Sequence, residues 1–287
     1  KGSIVALITP FKDDSLDEEN YIKLIDYHLK NGTNGIVPGG TTGESPTLSH
    51  NEHKKIIEIS VKECNSKIPV IAGTGSNSTE EAIELSRFAE KAGSDALLIV
   101  TPYYNKPTQE GLYQHYKKIN DNVGIPIVIY NIPSRSVIDM SVETMTKLYE
   151  LKNIIGVKDA TGNLKRVELQ KKSMGKEFIQ LTGNDDNALE FNKLGGVGAI
   201  GVTANIAAKL SSEFQKACVD DKNKAAELDK ILQPLHSAMF IESNPSPVKY
   251  AASLLGMCDA NVRLPLVEIQ EATKKKISDA LKVAKIL

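Results

Sequence analysis

Two short runs, Pro126-Ile127-Val128-Ile129-Tyr130 and Ile154-Ile155-Gly156-Val157-Lys158, set the reading of the fold. Each is a β-branched apolar stretch ending on a polar side chain, and a longer amphipathic stretch separates them. Working outward, the same unit recurs. Strand-like runs stand at Ser3–Thr9, Gly35–Pro38, Pro69–Gly73, Ala96–Thr101, Phe178–Thr182 and Gly198–Val202, which with the first two makes eight. Helix-like segments lie between them, including Asp17–Asn31, Ser49–Asn65, Thr79–Ala92 and Gln109–Asn120, several opened by a Ser, Thr or Asp cap. Strand starts recur about every 28 residues, a spacing typical of βα units. The pattern predicts an α/β fold, a (β/α)8 TIM barrel, over residues 1–222. A doubly wound open sheet is the alternative, and it usually has fewer strands. Residues 223–287 carry helical periodicity at Ala225–Ile241, Pro247–Leu255 and Glu268–Ile286, and are expected to form a C-terminal helical extension packed on the barrel.

The chain's 287 residues, 41% hydrophobic and 25% charged, exclude collagen-like, disordered and disulfide-rich classes. With 35 Lys and Arg against 36 Asp and Glu and no long basic run, neither a nucleic-acid surface nor a polybasic membrane patch is expected. Cys64, Cys218 and Cys258 are widely spaced and odd in number, which reads as reduced thiols in a cytoplasmic protein. No apolar run approaches the roughly 18 residues of a membrane span.

In such a barrel, chemistry belongs at the C-terminal ends of the strands. Lys158 ends an apolar strand, where an ammonium is costly to desolvate. It is either a strand-end charge paired with Asp159 or reaching water, or an amine placed to attack a carbonyl and form a Schiff base. Tyr130 ends the preceding strand, so the two side chains are brought together; a phenol there can move protons, whereas alone it would read as a core tyrosine. The run Gly39-Gly40-Thr41-Thr42-Gly43 follows a strand, and its backbone N–H groups and hydroxyls suit a carboxylate. It is no Walker loop, because no Gly-Lys-Ser/Thr follows. The run Gly196–Gly201 matches a dinucleotide fingerprint but leads into a strand instead of leaving one. His50 and His53 share a helix face without a third ligand, so no metal is expected.

These residues also carry a resemblance. Gly40-Thr41-Thr42-Gly43-Glu44, Tyr130-Asn131-Ile132-Pro133 and Gly156-Val157-Lys158-Asp159-Ala160-Thr161-Gly162 together resemble the pyruvate-dependent class I lyases and aldolases, over essentially the whole chain. Thr101–Pro107 and Pro133-Ser134-Arg135 are most similar to the branch that joins pyruvate to L-aspartate 4-semialdehyde on the diaminopimelate route to lysine. The resemblance implies an imine on Lys158, a proton relay of Tyr130, Thr41 and Tyr104, and pyruvate held by Thr42 and the Ile200 backbone. It places Gly183 in the substrate site and gives the semialdehyde carboxylate to Arg135. It further implies no cofactor and a homotetramer or homodimer in which Tyr104 of one subunit completes its neighbour's site. In lysine-inhibited relatives an effector site maps to Ser45, Pro46, His50, His53, Asn77, Glu81 and Tyr103, so L-lysine is a candidate effector. Pro46 replaces a smaller residue, and Asp159 replaces the more usual Glu. A sugar-acid lyase of the same family and a non-catalytic barrel are the competing readings; Arg135 argues against the first.

Overall fold

The computed structural model describes all 287 residues. Eight parallel strands form its centre: β1 (Gly2–Ala6), β2 (Gly35–Val37), β3 (Ile71–Gly73), β4 (Ala96–Val100), β5 (Ile127–Asn131), β6 (Ile154–Asp159), β7 (Ile179–Thr182) and β8 (Gly198–Gly201). The ladder runs β2-β1-β8-β7-β6-β5-β4-β3, and a parallel bridge between Ile36 and Val70 joins its two ends into a barrel. Side-chain alternation divides each strand between two environments. Leu98, Val128, Tyr130, Leu181 and Ile200 fill the barrel, whereas Leu97, Ile99, Ile127, Ile129 and Val157 pack outward against helices. The expected TIM barrel is therefore the observed one.

The helices follow their sequence signals. After α1 (Glu18–Lys30), α2 (His50–Cys64) opens on Ser49, whose side chain and that of Glu52 cap reciprocally. Next, α3 (Thr79–Ala92) closes on Gly93 at φ 95°, a left-handed position that glycine adopts without strain. Then follow α4 (Gln109–Asn120), α5 (Val142–Tyr149), α6 (Lys165–Met174), α7 (Ala188–Lys193) and α8 (Ala208–Asp220). The C-terminal helices α9 (Lys222–Ala238), α10 (Ser246–Leu254) and α11 (Glu271–Val283) bury Leu232, Leu235, Val248, Ala252, Ile277 and Leu281 in one cluster with Phe11, Leu24 and Phe214. No helix is long and apolar enough to cross a membrane.

Strand ends differ from the sequence reading by a few residues. The strand ends at Ala6; the buried Leu7 still donates to Val37 O at 3.1 Å, and the side chain of Asn205 accepts from the Ile8 amide at 3.0 Å in place of a strand partner. A short hairpin at Phe11–Lys12 and Ser15–Leu16, not expected from the sequence, turns on Asp13 and Asp14 with φ of 49° and 60°. Two central residues at positive φ suit the twist of a tight hairpin, and Asp tolerates that region.

Candidate active site

Register places the first pair. Tyr130 on β5 lies opposite Lys158 on β6, and both side chains point into the barrel mouth, 6% and 5% exposed. Lys158 Nζ sits 4.1 Å from the centre of the Tyr130 ring. Its sequence neighbour points the other way. Asp159 accepts from Arg166 Nε at 2.9 Å and Gln170 Nε2 at 3.0 Å, and from the Thr161 amide and hydroxyl at 2.9 and 2.6 Å. The Lys158–Asp159 ion pair that the sequence left open is therefore absent, because strand neighbours face opposite sides and Asp159 is committed to α6. Lys158 has no acidic partner within salt-bridge distance.

Gly183, after β7, lets the lysine lie across the barrel. A Cβ there would fall 3.0 Å from Lys158 Cε and 2.7 Å from the Ala160 Cβ. Its amide donates to Asp159 O at 2.7 Å, which ties the two strand ends together.

The loop after β2 is built on backbone bonds that leave an open face. Gly43 and Ser45 amides donate to Gly40 O, and Glu44 N to Thr41 O, while the Thr9 hydroxyl holds Gly43 O at 2.7 Å. The Thr41 and Thr42 amides donate to no group of the protein. Two unengaged N–H donors with two neighbouring hydroxyls are groups that suit a carboxylate. Thr42 is buried and Thr41 half-buried. Gly39, at φ 67°, makes the turn, and a Cβ on Gly73 would fall 2.5 Å from Gly39 O, so both glycines are needed for the close approach of this loop to β3.

Ile200 is fully buried on β8, paired with Ile4. Just beyond it, Asp185 accepts from the Val202 and Thr203 amides at 2.7 and 3.0 Å and anchors the strand end. Arg135 stands on the helical turn Pro133–Ser136 at the rim, exposed, with Nη2 3.4 Å from Asn244 O.

A buried lysine and tyrosine beside a Gly-Thr loop at the mouth of a barrel have a matching group among known proteins. The model of the dihydrodipicolinate synthetase family matches residues 1–284. The chain belongs to that family. A 4-hydroxy-tetrahydrodipicolinate synthase of Pelagibacter ubique is 70% identical, over 100% of this chain and 99% of that protein. Among solved structures, the dihydrodipicolinate synthase of Acinetobacter baumannii complexed with pyruvate superposes with a TM-score of 0.98 at 46% identity, covering 100% of this chain and 99% of that one. That of Cyanidioschyzon merolae with lysine bound gives 0.96 at 35% identity, again over 100% and 99%.

Two further features of this dihydrodipicolinate synthetase family member lie outside the barrel mouth. Tyr104 adopts φ 71° after β4 and is 92% exposed, so its ring has almost no cover within its own chain. Close by, Ser45, Pro46, His50, His53, Glu81 and Tyr103 line one cavity of about 130 Å3. Asn77 is not in that lining; its side chain donates to Tyr103 O at 3.1 Å and supports the cavity wall instead. Glu81 is held by Ser76 and by His50 Nε2 at 2.9 Å, and the Ser76 hydrogen bond is the main reason its carboxyl titrates below the usual range. His53 is buried against Gly73 O at 2.7 Å, and burial pushes its imidazole below the usual value.

The sequence reading missed the groups that brace the site from the C-terminal helices. Asn244 donates to Thr42 Oγ1 at 3.0 Å. Lys249 reaches Glu44 and Thr9 O. A lysine within the apolar run Pro247-Val248-Lys249-Tyr250-Ala251-Ala252 was the one available signal.

Proposed function

We propose that this chain condenses pyruvate with L-aspartate 4-semialdehyde through an imine on Lys158, giving 4-hydroxy-tetrahydrodipicolinate for lysine biosynthesis. The observation that carries the reading is the position of Lys158: buried at the end of β6, without an acid partner, 4.1 Å over Tyr130. Lys158 Nζ attacks the pyruvate ketone, the C–N bond forms and water leaves. The iminium withdraws electrons, so the methyl group loses a proton to give an enamine. The enamine carbon then attacks the aldehyde carbon of the second substrate, whose oxygen takes a proton. Closure by the semialdehyde's own amine on the imine carbon frees Lys158. Each step moves a proton between carbon, nitrogen and oxygen, and Tyr130 with Thr41 and a partner subunit's Tyr104 provide a path.

Pyruvate's carboxylate is assigned to the Thr41 and Thr42 amides, the Thr42 hydroxyl and the Ile200 backbone, and the semialdehyde carboxylate to Arg135 at the rim. The exposure of Tyr104 supports completion across a subunit contact, and we assign a homotetramer or homodimer on that ground. Three unpaired cysteines, two of them buried, support a cytoplasmic location. Incubation with pyruvate and borohydride, followed by mass mapping, tests the imine: a stable increase on Lys158 is expected, and its absence overturns the reading. Turnover of L-aspartate 4-semialdehyde, against a polyhydroxylated aldehyde as control, separates this activity from that of a sugar-acid lyase.

A second reading concerns regulation, and the cavity between Glu81 and Tyr103 favours it. Its acidic side chain, imidazoles and size suit a small amino acid, and we assign it to L-lysine. Ser45 and Pro46, which line it, follow Thr41 and Thr42 on the same loop, so an effector binding two loop states unequally changes the pyruvate site.

A further inference from the structure

We infer that Asn244 is a positioning residue that couples the two substrate-holding groups, setting the hydroxyl of Thr42 through its side chain and the place of Arg135 through its backbone carbonyl. The inference rests on the assignment of Thr42 and Arg135 as carboxylate holders given above. Asn244 precedes α10 in the C-terminal extension, 202 residues from Thr42 in sequence, yet it is only 5% exposed and wedged between both groups. Nδ2 donates to Thr42 Oγ1 at 3.0 Å, and the carbonyl oxygen accepts a long 3.4 Å bond from Arg135 Nη2.

The direction of the first bond is chemically consequential. A threonine hydroxyl has one proton, and when the amide N–H occupies its lone pair that proton is left for another acceptor. A pyruvate carboxylate beside Thr42 is such an acceptor. With the amide turned over, Thr42 would give its proton to Asn244 and present only lone pairs to the carboxylate. Asn244 Oδ1 is buried without a hydrogen-bond partner, so on the side-chain amide the bond to Thr42 is the contact that fixes orientation. The second bond places the guanidinium. Arg135 has no salt bridge to a carboxylate of the chain, which leaves its charge available, and a shared residue keeps the two anion sites at a fixed separation. In this arrangement the extension is part of the substrate site.

The test is a double-mutant cycle read on imine formation and on turnover. Asn244→Ala is expected to raise the pyruvate concentration for half-maximal borohydride trapping on Lys158 by about tenfold, the low end of what a direct hydrogen bond to a charged group contributes. The same change in a Thr42→Val background should add less than about twofold, because the shared contact is already gone. Asn244→Asp keeps the shape but can only accept, so it turns the Thr42 proton inward. Its loss should exceed that of Asn244→Ala at neutral pH and shrink as the pH is lowered and the carboxyl becomes a donor. If Asn244→Ala does not fold, Asn244→Asp carries the test through that pH profile. Additive effects of Thr42→Val and Asn244→Ala, a pH-independent Asn244→Asp defect, or a change in melting temperature with unaltered trapping would each overturn the inference. Failure of the wild-type protein to be trapped at Lys158 would instead overturn the underlying reading of the site.

Discussion

Lys249 Nζ lies 2.7 Å from Glu44 Oε1, and both side chains are shielded completely from water. The pair joins the second residue after Thr42 to the C-terminal helix α10. Lys249 also donates to Thr9 O at 2.8 Å and lies 4.2 Å from the Phe11 ring centre, while the Arg263 amide donates to the other Glu44 oxygen at 3.0 Å. Both Glu44 oxygens are thus engaged, the condition under which a buried ion pair is tolerated. Lys249→Met leaves Glu44 buried and unpaired, and is expected to cost about 3–5 kcal/mol in urea unfolding. Adding Glu44→Gln should recover part of that loss. A cost below about 1 kcal/mol would show the pair to be unimportant to the fold.

The roles proposed for Lys158 and Tyr130 are separable by experiment. Lys158→Ala should abolish borohydride trapping of pyruvate, because the other buried amine near the site, Lys249, is held in an ion pair with Glu44. Tyr130→Phe should retain some trapping but slow turnover by about 10² to 10⁴, the usual contribution of an acid–base group. Labelling of the Lys158→Ala protein at another position would reassign the nucleophile.

Arg135 stands at the rim and is linked to the pyruvate loop only through the long bond to Asn244 O, so its loss should fall mainly on one substrate. Arg135→Ala is expected to raise KM for the semialdehyde at least about tenfold more than KM for pyruvate, through loss of a charge-assisted pair. Steady-state kinetics with each substrate varied in turn decides it, and equal effects would remove Arg135 from the assignment.

The cavity at Glu81 makes a thermodynamic prediction. L-lysine in the millimolar range should give binding heat in calorimetry and partial inhibition, both weakened in Glu81→Ala. That carboxylate is already shared by Ser76 and His50, so the ligand must compete for it. Pro46 stiffens the lining and removes a backbone donor, and Pro46→Ala is expected to bind L-lysine at least as tightly as the wild type. Unchanged rates and no heat would remove the effector while leaving the catalytic reading intact.

How much of this was legible in the sequence depends on how far apart the interacting residues lie. The barrel was visible because each strand is an apolar run that signals itself locally, and Lys158 and Tyr130 stood out because each breaks such a run at its end. The Gly39–Gly43 loop stood out through its glycines and threonines alone. Strand limits were less legible: Leu7 and Ile8 are apolar like their neighbours, yet the Ile8 amide goes to the distant Asn205 and not to a strand partner. Contacts such as Asn244 with Thr42 and Lys249 with Glu44 join residues more than 200 apart and leave no local pattern. Asp159 could not be placed from the sequence either, since its partners Arg166 and Gln170 are defined by the path of α6.

His28 gives the last prediction, on acid stability. It is fully buried on α1, bonded through Nδ1 to Thr33 at 2.9 Å, with no partner for Nε2. Burial pushes its imidazole down from 6.5 to about 3, so in the folded protein it stays neutral through mild acid. The unfolded chain takes up the proton near 6.5. Stability contributed by the neutral ring is therefore present above about pH 6.5 and lost progressively as the pH falls toward 3. His115, pushed by burial to about 4, acts in the same direction over an overlapping window. The Glu52 carboxyl, held at about 2 by Arg263, also weakens in acid, but only below the unfolded carboxylate value of 4.5. The interval from pH 6.5 to 5 thus belongs to the histidines. Melting temperatures across it should fall in the wild type and fall less steeply in His28→Asn, which keeps a polar atom near Thr33 without a titrating ring. Parallel slopes in the two proteins would show that His28 is not the group being charged.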